Sequence, residues 1–270
     1  MSKSIRIGGA SGFWGDSVVA TPQLLSNNNL DFIVYDYLAE ITMSIMARAR
    51  TKDPEKGYAV DFVSSVLKLN LRQIADQKIK ILSNAGGVNP ESCAQAIREL
   101  IAEQKLDLKV SVVLGDDLMD KKEELKGIKE MYSDADFPEQ DKIASINAYL
   151  GAFPIAQALK DGADIVITGR SVDSAVTLAA CIYSFGWLEN DYDKLASGSL
   201  AGHIIECGTQ STGGNFTDWE LASKDLHQIG YPIVEIKEDG VFDCSKSQNT
   251  TGLVSFGTVA EQMLYEIGDP

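Results

Sequence analysis

Ile5-Arg6-Ile7-Gly8-Gly9-Ala10-Ser11-Gly12-Phe13-Trp14-Gly15-Asp16 is the stretch from which the fold is read. A short β-branched run passes straight into a segment rich in glycine, the signature of a buried strand that ends in a tight turn. The pattern recurs along the chain. Phe32-Ile33-Val34-Tyr35 leads to Asp36, Lys80-Ile81-Leu82 ends at Ser83-Asn84-Ala85-Gly86-Gly87, residues 109–114 end at Gly115-Asp116-Asp117, and residues 164–168 end at Gly169-Arg170. Amphipathic stretches lie between them: one through Arg50, one over residues 59–76, and one that Pro90 opens at a favoured first-turn position. Continuous apolar strands separated by helices predict an α/β protein with a largely parallel, Rossmann-like sheet covered on both faces. In such sheets ligands bind at the carboxyl ends of the strands, where each of these clusters falls.

Past Trp187 the texture changes. Residues 198–214 are rich in Gly, Ser and Thr, and residues 232–244 alternate apolar and polar around Asp239-Gly240, a strong hairpin signal. Thr258-x-x-Glu261 reads as the cap of a final helix running through Ile267. Residues 1–190 are thus expected to form the α/β core and residues 191–270 to continue the same domain. The last residues, Gly268-Asp269-Pro270, read as a connection into a further element, so truncation is the expectation.

The chain has 270 residues, 44% hydrophobic and 23% charged, with a net charge of −15. That charge argues against nucleic acid, which needs clustered Lys and Arg, and against anionic membrane surfaces. No apolar run approaches the ~20 residues that span a bilayer, and the first residues carry no leader pattern. Cytoplasm is the expected compartment. Cys93, Cys181, Cys207 and Cys244 show no Cys-x-x-Cys spacing and read as free thiols; Glu206 beside Cys207 disfavours a nucleophilic thiolate.

Gly9-x-x-Gly12-x-x-Gly15 has the spacing of a dinucleotide loop, with Asp36 about twenty residues on, where a ribose-binding acid would stand. Three features count against that reading. Asp16 puts an anion where a phosphate should approach, Pro22 interrupts the expected helix, and no tyrosine is followed four residues later by lysine. Elsewhere, His203 and Glu206 fall one turn apart if their segment is helical, a pair able to bind a metal or act as acid and base. His227 reads as a solvated residue. Residues 208–215 form a second glycine-rich segment, either an anion nest or a connection. Arg170 is a candidate clamp for a carboxylate or phosphate, and Asp173 either caps the next helix or pairs with Arg170. Neither Gly-x-Ser-x-Gly nor a Walker loop occurs.

Together these segments resemble the N-terminal domain of the acyclic terpene utilisation (AtuA-like) family. The likeness is carried by Gly8–Asp16, by Asp36-Tyr37-Leu38-Ala39-Glu40-Ile41-Thr42-Met43, by residues 83–90, and by Ser199-Leu200-Ala201-Gly202-His203-Ile204-Ile205-Glu206-Cys207-Gly208. Asn147-Ala148-Tyr149-Leu150-Gly151-Ala152, Ile167-Thr168-Gly169-Arg170 and residues 212–219 extend it over essentially the whole chain. The resemblance implies catabolism of acyclic isoprenoids or related branched acids through CoA thioesters. It assigns no reaction, cofactor or metal.

The expected function is a catabolic enzyme of lyase, hydratase or isomerase type, acting on a branched acid or its acyl-CoA thioester. Asp36, Glu40, Asp116, His203 and Glu206 are the candidate acid/base groups. Gly9, Ser11, Gly12, Asn84, Gly86, Gly87, Arg170, Asp173, Thr212, Gly213 and Gly214 are the candidate substrate-binding residues. An NAD(P)-dependent oxidoreductase and a non-catalytic subunit of a catabolic complex stand as alternatives, with a homo-oligomer or a partner subunit left open.

Overall fold

The first strand, β1 (Ser4–Gly9), buries Ile5 and Ile7 on one side. In the computed structural model, which describes residues 3–267 apart from 17, 27, 28, 223 and 266, it stands fifth in a seven-stranded sheet. The remaining strands are β2 (Phe32–Tyr35), β3 (Lys80–Ser83), β4 (Val110–Val113), β5 (Ile165–Thr168), β6 (Pro232–Lys237) and β7 (Phe242–Lys246). Their order is β4-β5-β3-β2-β1-β6-β7. From β4 to β1 all pairings are parallel, while β6 pairs antiparallel with both β1 and β7. Pro232 lacks an N–H and sits at the first position of β6, where its register partner is Lys246 of β7 alone. Gly240, at φ +91°, closes the expected hairpin.

The helices are α1 (Ala20–Leu25), α2 (Glu40–Lys52), α3 (Lys68–Asp76), α4 (Pro90–Glu103), α5 (Lys122–Leu125), α6 (Ala152–Lys160), α7 (Ala175–Phe185), α8 (Tyr192–Glu206) and α9 (Phe256–Leu264), with a π-helical turn, Phe62–Leu67, leading into α3. Side chains alternate across each strand. Ile33, Tyr35, Ile81, Ile165 and Ile167 therefore meet α1 to α4, whereas Ile7, Val34, Leu82 and Val166 meet α6 to α8. Every residue of β2 and β5 is buried, which is why these runs lack polar alternation.

The winding sense changes between β3 and β5. β3 leaves into α4 on the first face, the chain crosses to the edge strand β4, and it returns through α6 to place β5 beside β3. β5 then leaves into α7 on the second face. Neighbouring strands whose exits diverge open a crevice at their carboxyl ends.

Three sequence expectations need correction or limits. Pro22 does not interrupt α1; it occupies the third helical position, within the first turn, where no helical N–H is required. The final helix is capped by Ser255 and Thr258 rather than by Thr258 and Glu261. Ser255 Oγ accepts the Thr258 N–H at 3.2 Å, Thr258 Oγ1 accepts the Ser255 N–H at 2.9 Å, and the helix ends at Leu264. The reading of residues 268–270 lies outside the described residues. Among the described residues, no helix is long and apolar enough to cross a membrane.

Candidate functional site

Asp36 follows β2 directly and is 6% exposed. Its carbonyl accepts Ser11 Oγ at 2.8 Å, and its Oδ1 accepts Asn84 Nδ2 at 2.5 Å and the Leu38 N–H at 3.3 Å. Asn84, at the end of β3, is oriented by the Tyr37 N–H, which donates to its Oδ1 at 2.7 Å. Three strand ends are thereby laced together around one carboxyl group. Burial drives the Asp36 pKa well above the usual carboxylate range, and the charges of Asp173 and Glu206 push it further, against the bonds from Asn84 and Leu38.

Arg170, just after β5, is buried to 3% exposure. Its Nη1 donates to Leu38 O at 2.9 Å, Ser171 O at 3.2 Å and Asp173 Oδ1 at 2.5 Å. Asp173 thus pairs with Arg170, while α7 begins after Ser174 with no side-chain cap. Burial also raises the Asp173 pKa, although the Arg170 charge opposes it. Over the guanidinium lies the Tyr149 ring, with Cζ 4.1 Å from its centroid, a cation–π contact. The Tyr149 hydroxyl donates to Glu40, whose pKa is lowered chiefly by that bond. Glu40 is therefore an exposed anion at the start of α2, outside the buried cluster.

Asp116 acts as a clasp. Its Oδ2 accepts the Arg170 N–H and Asn147 Nδ2, both at 2.8 Å, and burial raises its pKa against those bonds. A Cβ at Gly169 would stand 2.3 Å from this carboxylate, so a side chain there would push Asp116 off its two bonds. His203 and Glu206 do lie on a helix, α8, with His203 Nδ1 2.7 Å from Glu206 Oε1. Glu206 is buried, and its Oε2 has no hydrogen-bond partner among the described residues. Gly202 brings α8 against Ser174, setting the α8 end beside the Arg170 loop.

The glycine segments do something different. Cβ atoms at Gly9 and Gly12 would lie 2.2 Å from Ile205 O and 2.8 Å from the Cys207 backbone, so the first loop seats the end of α8. The Gly12 N–H donates to Asp16 Oδ2 at 2.9 Å, and Trp14 Nε1 to Asp61 at 2.6 Å. Among the described residues, the first helix after Gly15 is α1, which begins at Ala20. Gly86 lies against Thr168 O and Pro90, and Gly87, at φ +55°, against Met46 and Gly57. In the second glycine segment, Gly213 and Gly214 spend their N–H groups on Gln210 O and Thr209 O, and Thr212 Oγ1 donates to Gly230 O. A Cβ at Gly213 would meet Ala222 and one at Gly214 would meet Thr209, so both glycines serve close packing here. His227 is exposed beside Asp225.

The composite of Asp36, Asn84, Asp116, Arg170 and the α8 end spans segments from every third of the chain. The model of the family described as "Acyclic terpene utilisation family protein AtuA" covers residues 5–270. The chain belongs to the AtuA family. No curated protein and no solved structure matches it.

In this AtuA-family chain the strand-end cluster gathers Ser11, Asp36, Asn84, Arg170, Asp173 and Glu206, with His203, Asp116 and Glu40 at its margins. Sequence reasoning did not single out Tyr149 or Asn147 as site residues. They arrive through a long excursion, residues 114–151, with little regular structure; its length and the family-like run from Asn147 to Ala152 were the available signals. Among the described residues, no group of three His, Cys, Asp or Glu side chains is arranged to hold a metal. A groove of about 470 Å³ runs between α2 and this excursion, lined by Ser44, Arg48, Phe137 and Lys142 among others. Glu40, Ser44 and Arg48 recur every four residues, so the groove follows the helix face that begins at Glu40.

Proposed function

We propose that the protein is a catabolic enzyme of lyase, hydratase or isomerase type, acting on a branched carboxylic acid or its acyl-CoA thioester. Asp36 and Asp173 exchange protons with carbon next to the carbonyl. The observation that carries this reading is the pair itself: two carboxyl groups in one strand-end cluster, both raised by burial, with the Asp173 charge raising Asp36 further and Arg170 paired to Asp173 alone of the two. Carboxyl groups pushed apart in this way take opposite roles. Asp36, held well above the carboxylate range with no cation bonded to it, is the acid. Asp173, paired with Arg170, is the base.

Two further features support the assignment. The unpartnered Glu206 Oε2 is an acceptor that a ligand hydroxyl or a carboxylic proton would satisfy. The groove along α2 has the volume of a small-molecule site, leaving room for the non-reacting part of the ligand. The dinucleotide alternative has no comparable support, since the Gly12 amide is already bonded to Asp16.

The test is solvent isotope exchange. Branched acyl-CoA compounds and their free acids are incubated with the protein in deuterium oxide and analysed by mass spectrometry. Deuterium is expected to enter next to the carbonyl, about 10²- to 10⁴-fold more slowly in Asp36→Asn. Exchange that proceeds equally fast in Asp36→Asn sinks the assignment.

A further inference from the structure

Glu40 holds a position that its chemistry does not require. It is exposed, it opens α2, and its carboxylate lies 3.7 Å from Arg170 Nη2, an ion-pair distance too long for a good hydrogen bond. Nη1 of the same guanidinium is fully committed to Leu38, Ser171 and Asp173. On the other side Glu40 accepts a hydrogen bond from the hydroxyl of Tyr149, whose ring covers Arg170. Three influences therefore favour an anion at this point: a buried cation, a hydroxyl donor and the amino end of a thirteen-residue helix. Glu40 meets them from the solvent side, so the place it fills is reachable from outside.

Resting on the acid/base reading above, we propose that Glu40 is an internal stand-in and that the ligand carries a free carboxylate which displaces it. That carboxylate takes Arg170 Nη2 and the Tyr149 hydroxyl together. Glu40 then swings into water at little cost, because it is 81% exposed already. The substrate class narrows accordingly to branched molecules with a free carboxylate, either simple acids or half-thioesters of diacids. Uncharged esters and amides lack the group that competes with Glu40.

The experiment measures binding without turnover. 3-Methylbutanoate and its neutral amide are titrated by NMR into the full chain, into Glu40→Ala, and into Glu40→Ala with Tyr149→Phe. Removing the competing carboxylate is expected to tighten 3-methylbutanoate binding roughly three- to tenfold, with no gain for the amide. Tyr149→Phe is expected to reverse part of the gain. Both side chains are half or more exposed, and thermal melts confirm folding. Should Glu40→Ala fail to fold, Glu40→Gln reads out the same loss of charge. Unchanged or weaker carboxylate binding overturns the proposal, as does an equal gain for the amide. A binding gain without isotope exchange would keep this carboxylate site and remove the acid/base reading; exchange without the gain would do the reverse.

Discussion

The loops leaving β1 and β5 sit at the same edge of the sheet, and both look like ligand loops in sequence, yet they are built for different tasks. The β1 loop turns its polar groups inward: Gly12 N–H to Asp16, Ser11 Oγ to Asp36 O, Trp14 to Asp61. Its glycines let the backbone of α8 approach. The β5 loop has its backbone pinned from outside, by Asp116 on Arg170 N and by Leu150 on Val172 N. Its side chains, Arg170 and Asp173, are delivered into the crevice. Glycine spacing reports where chains pack closely. Charged side chains beside a pinned backbone mark the place proposed for chemistry.

The sharpest way to break this contrast is Gly9→Ala. Its Cβ would lie 2.2 Å from a backbone oxygen, which cannot rotate away. Overpacking of this kind is expected to cost about 3 kcal/mol or more, measured by urea unfolding. Gly15→Ala is the internal control: it has φ +92° but nothing within 4 Å, so backbone strain alone should cost about 1–2 kcal/mol. Equal costs would mean that α8 does not depend on the first loop for its seat.

A smaller effect separates the two aspartates. Asp16→Asn keeps an acceptor for Gly12 but loses its charge, and about 1 kcal/mol of stability should go with it, with isotope exchange retained. Smallest of all is a change of slope. Asp36 has a raised pKa in the folded state, so between about pH 4 and that raised value the folded chain holds a proton that the unfolded chain has lost. Stability contributed by this group is complete at low pH and falls as pH rises through the window. Asp36→Asn should flatten that fall in denaturation curves taken across the window; an identical slope would show that Asp36 does not carry the buried proton.

Much of the architecture was legible because it rests on local pattern. The apolar runs at 32–35 and 165–168 announce strands buried on both faces, and Asp239-Gly240 announces the hairpin. The convergence of Asp36 and Asn84 followed from the rule of strand ends. What was not legible depends on long-range pairing. Asp173 was ambiguous between capping α7 and binding Arg170, and only the fold sets it beside Asp36 and Glu206. Tyr149 comes from an excursion without helical or strand periodicity, and the family-like run around it does not say that it lies over Arg170. Gly213 and Gly214 looked like a nest because composition does not reveal which amides are already bonded.

The orientation of the Asn84 amide has one further consequence. Tyr37 N–H fixes its oxygen, so its nitrogen must face Asp36. Asp36 Oδ1 then receives two N–H donors and has no room for a proton of its own. The acidic hydrogen is confined to Oδ2. In the acid role proposed for Asp36, delivery from only one oxygen of a buried, bonded carboxyl group reaches one face of a planar carbon. Addition to a prochiral double bond would therefore yield a single enantiomer, its handedness set by the asparagine that orients the acid.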